Sequence, residues 1–171
     1  MLKKKSVKKP VNLIVDIPIK NYEDTKYIEN ICDMILPNLY LGDLFAANCY
    51  DKMKDFDVII NVTTHKTQKF DNKLHIDIPL NDKSDVPLQP VLDWILDEIH
   101  TFYQENKKIF IHCRAGISRS VSIVVAYLIK YHKFDYDTAI EFISSKRNQL
   151  TSPNIGFKLQ LIDFQKLNNN I

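Results

Sequence analysis

Hydrophobic residues follow two different patterns along the chain from about residue 35 onward. Short, nearly continuous apolar runs are typical of strands, and longer stripes at three- and four-residue intervals are typical of helices. The short runs predict four strands, at residues 39–41, 58–62, 74–78 and 109–111. Gly42 ends the first of these strands and Pro79 ends the third, because neither residue type continues a central strand well.

Helical stripes alternate with the predicted strands. They predict one helix capped by Asp43, two longer helices, and a fourth that begins after Asp135 or Asp137. The first three of these helices cover residues 43–54, 90–104 and 118–131. The apolar stripe of the second consists of Val91, Ile95, Ile99 and Phe102, with Trp94 beside it. The third is apolar on nearly all sides, which is typical of a buried helix.

The two ends of the pattern are less regular. Residues 25–34 carry Ile28, Ile31 and Cys32 at helical spacing and predict one or two helical turns. At the other end, Ser152 and Pro153 have the types expected for an N-cap and a first-turn proline. The last helix is then expected to run to about residue 165, and its inward face is expected to carry Ile155, Leu159 and Ile162.

Strands that alternate with helices predict an α/β fold, with a mainly parallel central sheet flanked by helices. In such sheets, ligands bind outside the carboxyl ends of the strands. The 171-residue length suggests one domain, which we place at residues 28–171. The net charge of +2 does not by itself favour nucleic-acid binding, and the apolar run at residues 121–129 is too short to cross a bilayer.

Residues 1–27 are expected to form a basic tail or arm, partly disordered or packed as an extension. Its five lysines are Lys3, Lys4, Lys5, Lys8 and Lys9. A solvated end is the simpler interpretation, and contact with an acidic membrane surface, nucleic acid or an import receptor is the alternative. Leu2 excludes the glycine that N-myristoylation requires. Whether the chain is a monomer or a homodimer stays open at this point.

Residues 109–120 contain the most distinctive chemistry in the chain. Cys113 follows a predicted strand, and a short Gly-containing loop then leads into the buried helix. Backbone amides at a helix N-terminus attract a phosphate and lower the pKa of a cysteine thiol. Arg119, six residues after Cys113, can bind two phosphate oxygens, and Ser120 can place a hydroxyl near the sulfur. A buried cysteine near an unrelated surface arginine would explain the spacing alone, but not the whole pattern.

The string HCRAGISRS at residues 112–120 resembles the phosphate-binding signature of cysteine-based protein phosphatases. Ala126-Tyr127-Leu128 is similar to the dual-specificity branch, and the chain resembles its small, atypical members. Weaker similarities occur in the family's order, at residues 39–42, 59–63, 152–154, Phe157 and Gln160-Leu161. The resemblance covers about residues 35–167, and it implies a catalytic domain that works through a phosphocysteine intermediate without a metal or other cofactor.

The resemblance also implies roles for individual residues. Cys113 is the expected nucleophile, Arg119 the phosphate ligand, and Ser120 a hydrogen-bond donor to the departing thiolate. The loop that surrounds the phosphate consists of Arg114, Ala115, Gly116, Ile117, Ser118 and Arg119. His112 is expected to tune the Cys113 loop without touching phosphate, although a merely structural role is equally compatible with the sequence. Cys32 and Cys49 are expected to be plain thiols, and spacing alone does not show a redox partner for Cys113.

A leaving alkoxide or phenoxide needs a proton, so a carboxylic acid is expected to reach over the site from a loop. Asp82 and Asp85 lie in the polar loop at residues 81–87, whereas Asp77 lies within a predicted strand. The related enzymes carry their acid after an Ile-Pro-x-x pattern, which residues 78–82 match. Asp82 is therefore the predicted general acid and, in the second step, the general base.

The expected substrates are phosphotyrosine and phosphoserine or phosphothreonine in proteins. A phosphoinositide or an RNA 5′-phosphate is an alternative substrate, although the loop lacks the extra lysines of lipid-directed relatives. A non-catalytic phosphoprotein-binding module is a second alternative. Three cysteines without disulfide or zinc spacing fit a reducing compartment, so a cytoplasmic protein with possible nuclear access is expected.

Overall fold

A computed structural model describes residues 31–169, and within them a five-stranded sheet forms the centre of the fold. The strands follow the spatial order β1-β2-β5-β3-β4. Strands β2, β5, β3 and β4 are parallel, and only β1 pairs in the antiparallel sense. Their bounds are Cys32–Leu36 (β1), Leu39–Gly42 (β2), Val58–Asn61 (β3), Leu74–Asp77 (β4) and Ile109–His112 (β5).

Helices cover both faces of this sheet, so the predicted α/β fold with a mainly parallel sheet is confirmed. The helices are Leu44–Ala47 (α1), Tyr50–Met53 (α2), Gln89–Gln104 (α3), Arg119–His132 (α4), Tyr136–Ser145 (α5) and Ile155–Asn169 (α6). Of the two predicted caps of α5, Asp135 and Asp137, the structure has Asp135, whose carboxylate accepts a hydrogen bond from the Thr138 amide. None of the described helices is long and apolar enough to cross a membrane.

Side chains along the central strands alternate between the two faces of the sheet, so the core has two layers. In β5, Ile109 and Ile111 belong to the large core beneath α3–α6, whereas Phe110 belongs to the smaller core beneath α1 and α2. In β3, Ile60 belongs to the large core and Ile59 to the smaller core. Because successive strand side chains point to opposite faces, a strand covered on both faces is apolar at every position.

Helix α4 lies at the centre of the larger layer. Its residues 119–129 are all buried, and it packs against α3, α5 and α6. The loop that leaves β5 leads directly into the N-terminus of α4. One end of that loop is therefore fixed to a deeply buried helix. Lys133 ends the helix in the left-handed conformation, with φ of 59°.

The predicted helical turns at residues 25–34 are wrong where the structure describes them. Cys32–Leu36 is strand β1, and residues 25–30 lie outside the described part of the chain, as does the predicted tail. A tight turn at Pro37-Asn38, with a left-handed φ of 65° at Asn38, returns the chain so that β1 pairs with β2. Pairing with a neighbouring strand therefore overrides a short helical pattern.

Two helix predictions also need correction. The single helix at residues 43–54 is two short helices, α1 and α2, separated at Asn48-Cys49; Asp43 does cap α1 by accepting a hydrogen bond from the Ala46 amide at 2.8 Å. Helix α6 begins at Ile155, and Asn154, not Ser152, caps it by accepting a hydrogen bond from the Phe157 amide at 3.0 Å.

The predicted inward face of α6 is wrong at two of its three residues, since only Ile162 is half-buried and packs against the core. Ile155 and Leu159 are 63% and 56% exposed, whereas Phe157, Leu161 and Phe164 are buried against α4 and α5. Both sets have helical spacing, so periodicity alone does not distinguish them. The aromatic set buries more apolar area, which favours its burial.

Candidate active site

The loop between β5 and α4 surrounds the sulfur of Cys113. This side chain is only 2% exposed, and its Sγ accepts hydrogen bonds from the Gly116 amide and the Ser120 hydroxyl, both at 3.2 Å. Because the loop follows the last residue of β5, it lies at the carboxyl end of the parallel strands, where α/β sheets bind their ligands.

Several groups around Cys113 favour the thiolate over the thiol. Burial alone raises the pKa of Cys113, but hydrogen bonds from Ser120, the charge of Arg119 and the Gly116 amide outweigh it. The pKa of Cys113 is consequently held below its ordinary value. The N-terminus of α4 acts in the same direction, because the helix dipole is positive there.

Four successive carbonyl groups of the loop are bonded to the surrounding protein. The carbonyls of residues 114, 115, 116 and 117 accept hydrogen bonds from the Leu44 amide, the Gln149 side chain, the Arg147 guanidinium and the Ser152 amide. In a trans peptide, the N–H of the next residue points opposite to the carbonyl. The amides of Ala115, Gly116, Ile117 and Ser118 therefore face inward around the sulfur, and they form a ready cradle for an anion.

Gly116 is required at the turn of this loop. Its φ is +68°, a conformation that favours glycine, and an added Cβ would lie 2.8 Å from the Gly42 carbonyl oxygen. The Cys113 amide also donates to the Gly42 carbonyl oxygen, at 3.4 Å. Strand β2 and the loop thus approach too closely to admit a side chain.

Arg119 is the first residue of α4, and its side chain is almost completely buried. Its Nη1 donates a hydrogen bond to the Leu80 carbonyl at 3.3 Å, and its Nε lies 3.6 Å from Asp82 Oδ2. The buried Nε has no hydrogen-bond partner among the described residues. Because its buried Nε donor is unused, this guanidinium is suited to bind a phosphate oxygen at the mouth of the loop.

Asp82 reaches the loop from the segment after β4. Its Oδ1 accepts hydrogen bonds from the Ser118 hydroxyl and the Asn154 side-chain amide, both at 2.7 Å. The structure therefore brings Asp82 together with the Cys113 loop. Asp77 instead pairs with Lys69 at 2.6 Å, and Asp85 is exposed on the surface of the 81–87 loop.

His112 is completely buried behind the loop. Its ring stacks on Phe110, and its Nδ1 lies 3.3 Å from the carbonyl oxygen of Cys113. Burial lowers the pKa of His112 to about 4, so the imidazole is neutral near pH 7. This placement fits the predicted role of supporting the loop from behind.

Arg147 is a site residue that the sequence analysis missed. Its Nε pairs with Asp33 Oδ2 at 2.9 Å, and its Nη1 donates to the Gly116 carbonyl at 2.7 Å. It lies 34 residues after Cys113, in a polar stretch between two helices, and no local pattern marks it. Asn154 also contacts the site, through Asp82, and an Asn directly after a proline is a sequence signal that could have identified it.

The other two cysteines lie apart from this hydrogen-bonded network. Burial raises the pKa of Cys32 to about 11, and Cys49 is half-buried at the start of α2. A thiol with a raised pKa reacts slowly, because the thiolate is the reactive form. These findings agree with the interpretation of Cys32 as a plain thiol.

Comparison with known proteins agrees with this geometry. The family model "Dual specificity phosphatase, catalytic domain" matches residues 39–167. Dual specificity protein phosphatase 1 of Homo sapiens is 32% identical over 77% of this chain, which spans 36% of that relative's length. The protein of the same name from Arabidopsis thaliana is 33% identical over 81% of this chain and 71% of its own.

A solved structure supports the same assignment. The crystal structure of DUSP15 is 28% identical, covers 80% of this chain and 88% of its own, and superposes with a TM-score of 0.76. The similarity seen at residues 112–120 thus extends over most of the sequence and over the fold. The chain therefore belongs to the dual specificity phosphatase catalytic-domain family.

Proposed function

We propose that this protein hydrolyses phosphotyrosine and phosphoserine or phosphothreonine in proteins through a phosphocysteine on Cys113. One observation carries the proposal: the Cys113 sulfur lies at the base of a loop whose four outward-bonded carbonyls turn its amides inward. A phosphate ester in this cradle would place its phosphorus next to a nucleophile with a lowered pKa. The family assignment supports the same reaction class.

In the proposed first step, the Cys113 thiolate attacks phosphorus, so the S–P bond forms and the P–O bond to the substrate breaks. Asp82, in its protonated form, gives its proton to the leaving oxygen. The guanidinium of Arg119 and the inward amides stabilise the charge that spreads over the three equatorial phosphate oxygens. The contact between Asp82 and Ser118 supports this role, because it holds the carboxyl group over the loop.

In the proposed second step, water attacks the phosphocysteine and releases inorganic phosphate. Asp82, now a carboxylate, accepts the proton of that water. Ser120 stabilises the departing Cys113 thiolate through the hydrogen bond that the structure shows at 3.2 Å. The cycle then returns both side chains to their starting protonation states.

The proposed catalytic unit is the domain assigned to residues 28–171. Residues 31–169 of this unit are described, and they contain every residue with a proposed role. A reduced Cys113 is necessary for the chemistry, which supports a reducing compartment such as the cytoplasm. Phosphorylated proteins are the proposed partners.

The decisive experiment compares phosphate release by wild type and Cys113→Ser. The substrates are phosphotyrosine and phosphothreonine peptides, a phosphoinositide and an RNA 5′-triphosphate. We expect release from both peptide classes by wild type and a loss of at least about a thousandfold in Cys113→Ser, because the nucleophile is gone. Equal activity of the variant would contradict the mechanism.

The same panel separates the alternatives. Release from the lipid or RNA alone would keep the cysteine mechanism and overturn the protein substrate. If the folded, reduced protein binds phosphopeptides but releases no phosphate from any substrate, it is a binding module. The Cys49→Ser variant is a matched control, because it makes the same change at a half-buried thiol outside the loop, at the start of α2, and is expected to keep full activity.

A further inference from the structure

Asp82 lies in a loop that is exposed along most of its length. We call residues 80–88 the acid loop. Leu80 and Leu88 are buried at its two ends, whereas residues 81–85 are exposed. A general acid must lie within hydrogen-bond reach of the leaving oxygen, so its loop has to be held in place. The position of Asp82 therefore depends on the surface that the acid loop lies against.

That surface is the first two turns of helix α6, together with the residue that caps it. The acid loop contacts this surface at every second residue, namely at Asp82, Ser84, Val86 and Leu88. The contacting residues on the side of α6 are Asn154, Gly156 and Gln160. One helix therefore supports the acid loop from Asp82 to the start of α3.

The Gln160 side chain binds the acid loop through both ends of its amide group. Its Oε1 accepts a hydrogen bond from the Leu88 amide at 2.7 Å, and its Nε2 donates to the Val86 carbonyl at 2.9 Å. Backbone groups of a loop need hydrogen-bond partners, and here one side chain satisfies both an amide and a carbonyl. Gln160 therefore fixes the backbone of the acid loop at two points on the chain that follows Asp82.

Gly156 allows the helix to approach the middle of the acid loop. It is the second residue of α6, and an added Cβ would lie 1.8 Å from the Ser84 carbonyl oxygen. No side chain fits there unless the loop moves away from the helix. Glycine weakens a helix relative to alanine, so its presence here favours the close contact over the stability of α6.

Asn154 connects this support to the carboxyl group itself. Its side-chain amide donates to Asp82 Oδ1 at 2.7 Å, and its backbone amide donates to the Ser118 hydroxyl at 3.0 Å. Ser118 in turn donates to the same Oδ1 at 2.7 Å. Hydrogen bonds of this length tolerate little displacement, so a shift of the acid loop away from α6 would separate Asp82 from the Cys113 loop.

We propose that Gln160 is a positioning residue for the general acid, because it holds the acid loop against α6 and so keeps Asp82 over the Cys113 loop. Gln160 acts through the backbone of Val86 and Leu88 and not on the reacting atoms. The proposal rests on the proposed phosphatase function for the role of Asp82. Its consequence is that loss of Gln160 slows the proton transfer and leaves phosphate binding, which depends on residues 113–119, intact.

The first test is Gln160→Met, which keeps the size of the side chain and removes both hydrogen bonds. We expect kcat for a phosphotyrosine peptide to fall about tenfold, because a small displacement of a catalytic group slows its reaction, and KM to change less than about twofold. For p-nitrophenyl phosphate, whose leaving group needs less protonation, kcat is expected to fall less than about twofold. The ratio of the two kcat values does not depend on the fraction of the protein that is folded.

A double variant shows whether Gln160 acts through Asp82. In the Asp82→Asn background, Gln160→Met is expected to change kcat for the peptide less than about twofold, because the group that it positions is already lost. A further tenfold loss in that background, or an equal loss for both substrates in Gln160→Met alone, would show a general structural role and overturn the proposal.

Gln165→Met is the matched control. Gln165 is half-buried in the same helix and also accepts a hydrogen bond from a backbone amide at the start of a helix, that of Tyr136 at 2.6 Å. This bond supports α5 and not the acid loop. Both variants are expected to lower the free energy of unfolding in urea, but only Gln160→Met should change the ratio of the two kcat values.

Gly156→Ala is an independent variant with the opposite effect on the helix. Alanine favours α6, but its Cβ displaces the acid loop at Ser84. We expect the same substrate-dependent loss of kcat as in Gln160→Met. A wild-type ratio of the two kcat values in Gly156→Ala would contradict the proposed support of the acid loop by α6.

Trypsin cleavage after Lys83 measures the hold on the loop without catalysis. Lys83 is exposed within the acid loop, and cleavage requires the loop to open locally. We expect cleavage at least about fivefold faster in Gln160→Met than in wild type, because two hydrogen bonds are lost, and unchanged in Gln165→Met. Unchanged cleavage in Gln160→Met would overturn the proposal.

The wild-type protein keeps this result separate from the proposed function. Release of phosphate from the peptide by wild type, with a wild-type kcat ratio in Gln160→Met, would overturn the role of Gln160 alone. Absence of release from every substrate would overturn the phosphatase proposal, and the cleavage rates would still decide whether Gln160 holds the acid loop against α6.

Discussion

Single side chains control the charge of the Cys113 sulfur. Burial of Cys113 favours the neutral thiol, and direct hydrogen bonds and a nearby cation outweigh this effect. The Ser120 hydroxyl is the strongest of these opposing influences. The reactivity of Cys113 therefore depends on a few identifiable atoms.

Substitution Ser120→Ala is expected to raise the pKa of Cys113 and to slow the release of the thiolate. Iodoacetamide labelling of Cys113 across pH would show a higher midpoint, and kcat would fall about tenfold, because a hydrogen bond to a charged group is lost. Ser122→Ala is the matched control, since Ser122 is also buried in α4 but donates to the Ser118 carbonyl. An unchanged labelling profile in Ser120→Ala would contradict the assignment.

Substitution Asp82→Asn is expected to lower kcat for a phosphotyrosine peptide roughly a hundredfold, because proton transfer to the leaving oxygen is lost. The loss is expected to be smaller for p-nitrophenyl phosphate, whose leaving group needs less protonation. Asp85→Asn, a change of the same type in the same loop, should leave kcat near the wild-type value. If the two variants behave alike, Asp82 is not the acid.

Elements of structure that are distant in sequence hold the loop in its active shape. Strand β1 supplies Asp33, the segment after α5 supplies Arg147, and α1 supplies the Leu44 amide. Arg147 joins two of these elements to the Gly116 carbonyl. The orientation of the loop amides thus depends on the packing of β1 and the α5–α6 connection, and not only on residues 113–119.

Substitution Arg147→Met is expected to destabilise the fold by about 3 kcal/mol, because it leaves Asp33 and the Gly116 carbonyl without their partner. Urea unfolding measures this loss. Inhibition by inorganic phosphate is expected to weaken in the same variant while it remains folded, since the loop amides lose their orientation.

The neighbouring variant Lys146→Met serves as the control, because Lys146 is exposed and its amine lies over the Phe142 ring. It should change neither the free energy of unfolding by more than about 0.5 kcal/mol nor the phosphate inhibition. Wild-type phosphate inhibition in Arg147→Met would show that Arg147 has only a structural role.

The stability of the whole molecule depends on pH through a histidine that is buried behind the active site. His112 is completely buried in the centre of the sheet, where burial lowers its pKa to about 4. The unfolded chain binds a proton at an ordinary pKa of 6.5. Between these two values the unfolded state binds more protons than the folded state, so stability falls as the pH falls.

The contribution of His112 to acid destabilisation is measurable. We expect the free energy of unfolding to fall by up to about 3 kcal/mol between pH 7 and pH 4 through this group. His112→Gln should flatten that dependence when urea unfolding is repeated at each pH. His75 and His132 also have lowered pKa values and remain in both proteins, so the difference between them isolates His112. Parallel curves would contradict this assignment.

Local sequence determined most elements of the fold and the centre of the site. Strands β2–β5 and helices α3–α5 follow from apolar runs, stripes and caps, because each depends on neighbouring residues. Cys113, Arg119 and Ser120 lie on one loop and the first turn of one helix, so their proximity was visible in the chain. The Ile-Pro pattern before Asp82 was also local, and the structure brings Asp82 to the loop.

Features that depend on partners far along the chain were not predictable from local sequence. Cys32–Leu36 becomes a strand because β2 offers it backbone hydrogen bonds, and α6 buries Phe157 and Leu161 because α4 lies against them. Arg147 reaches the loop through the packing of α5, β1 and the loop itself. Such contacts form only when distant elements pack together, and a short stretch of sequence does not show which distant residue will lie beside it.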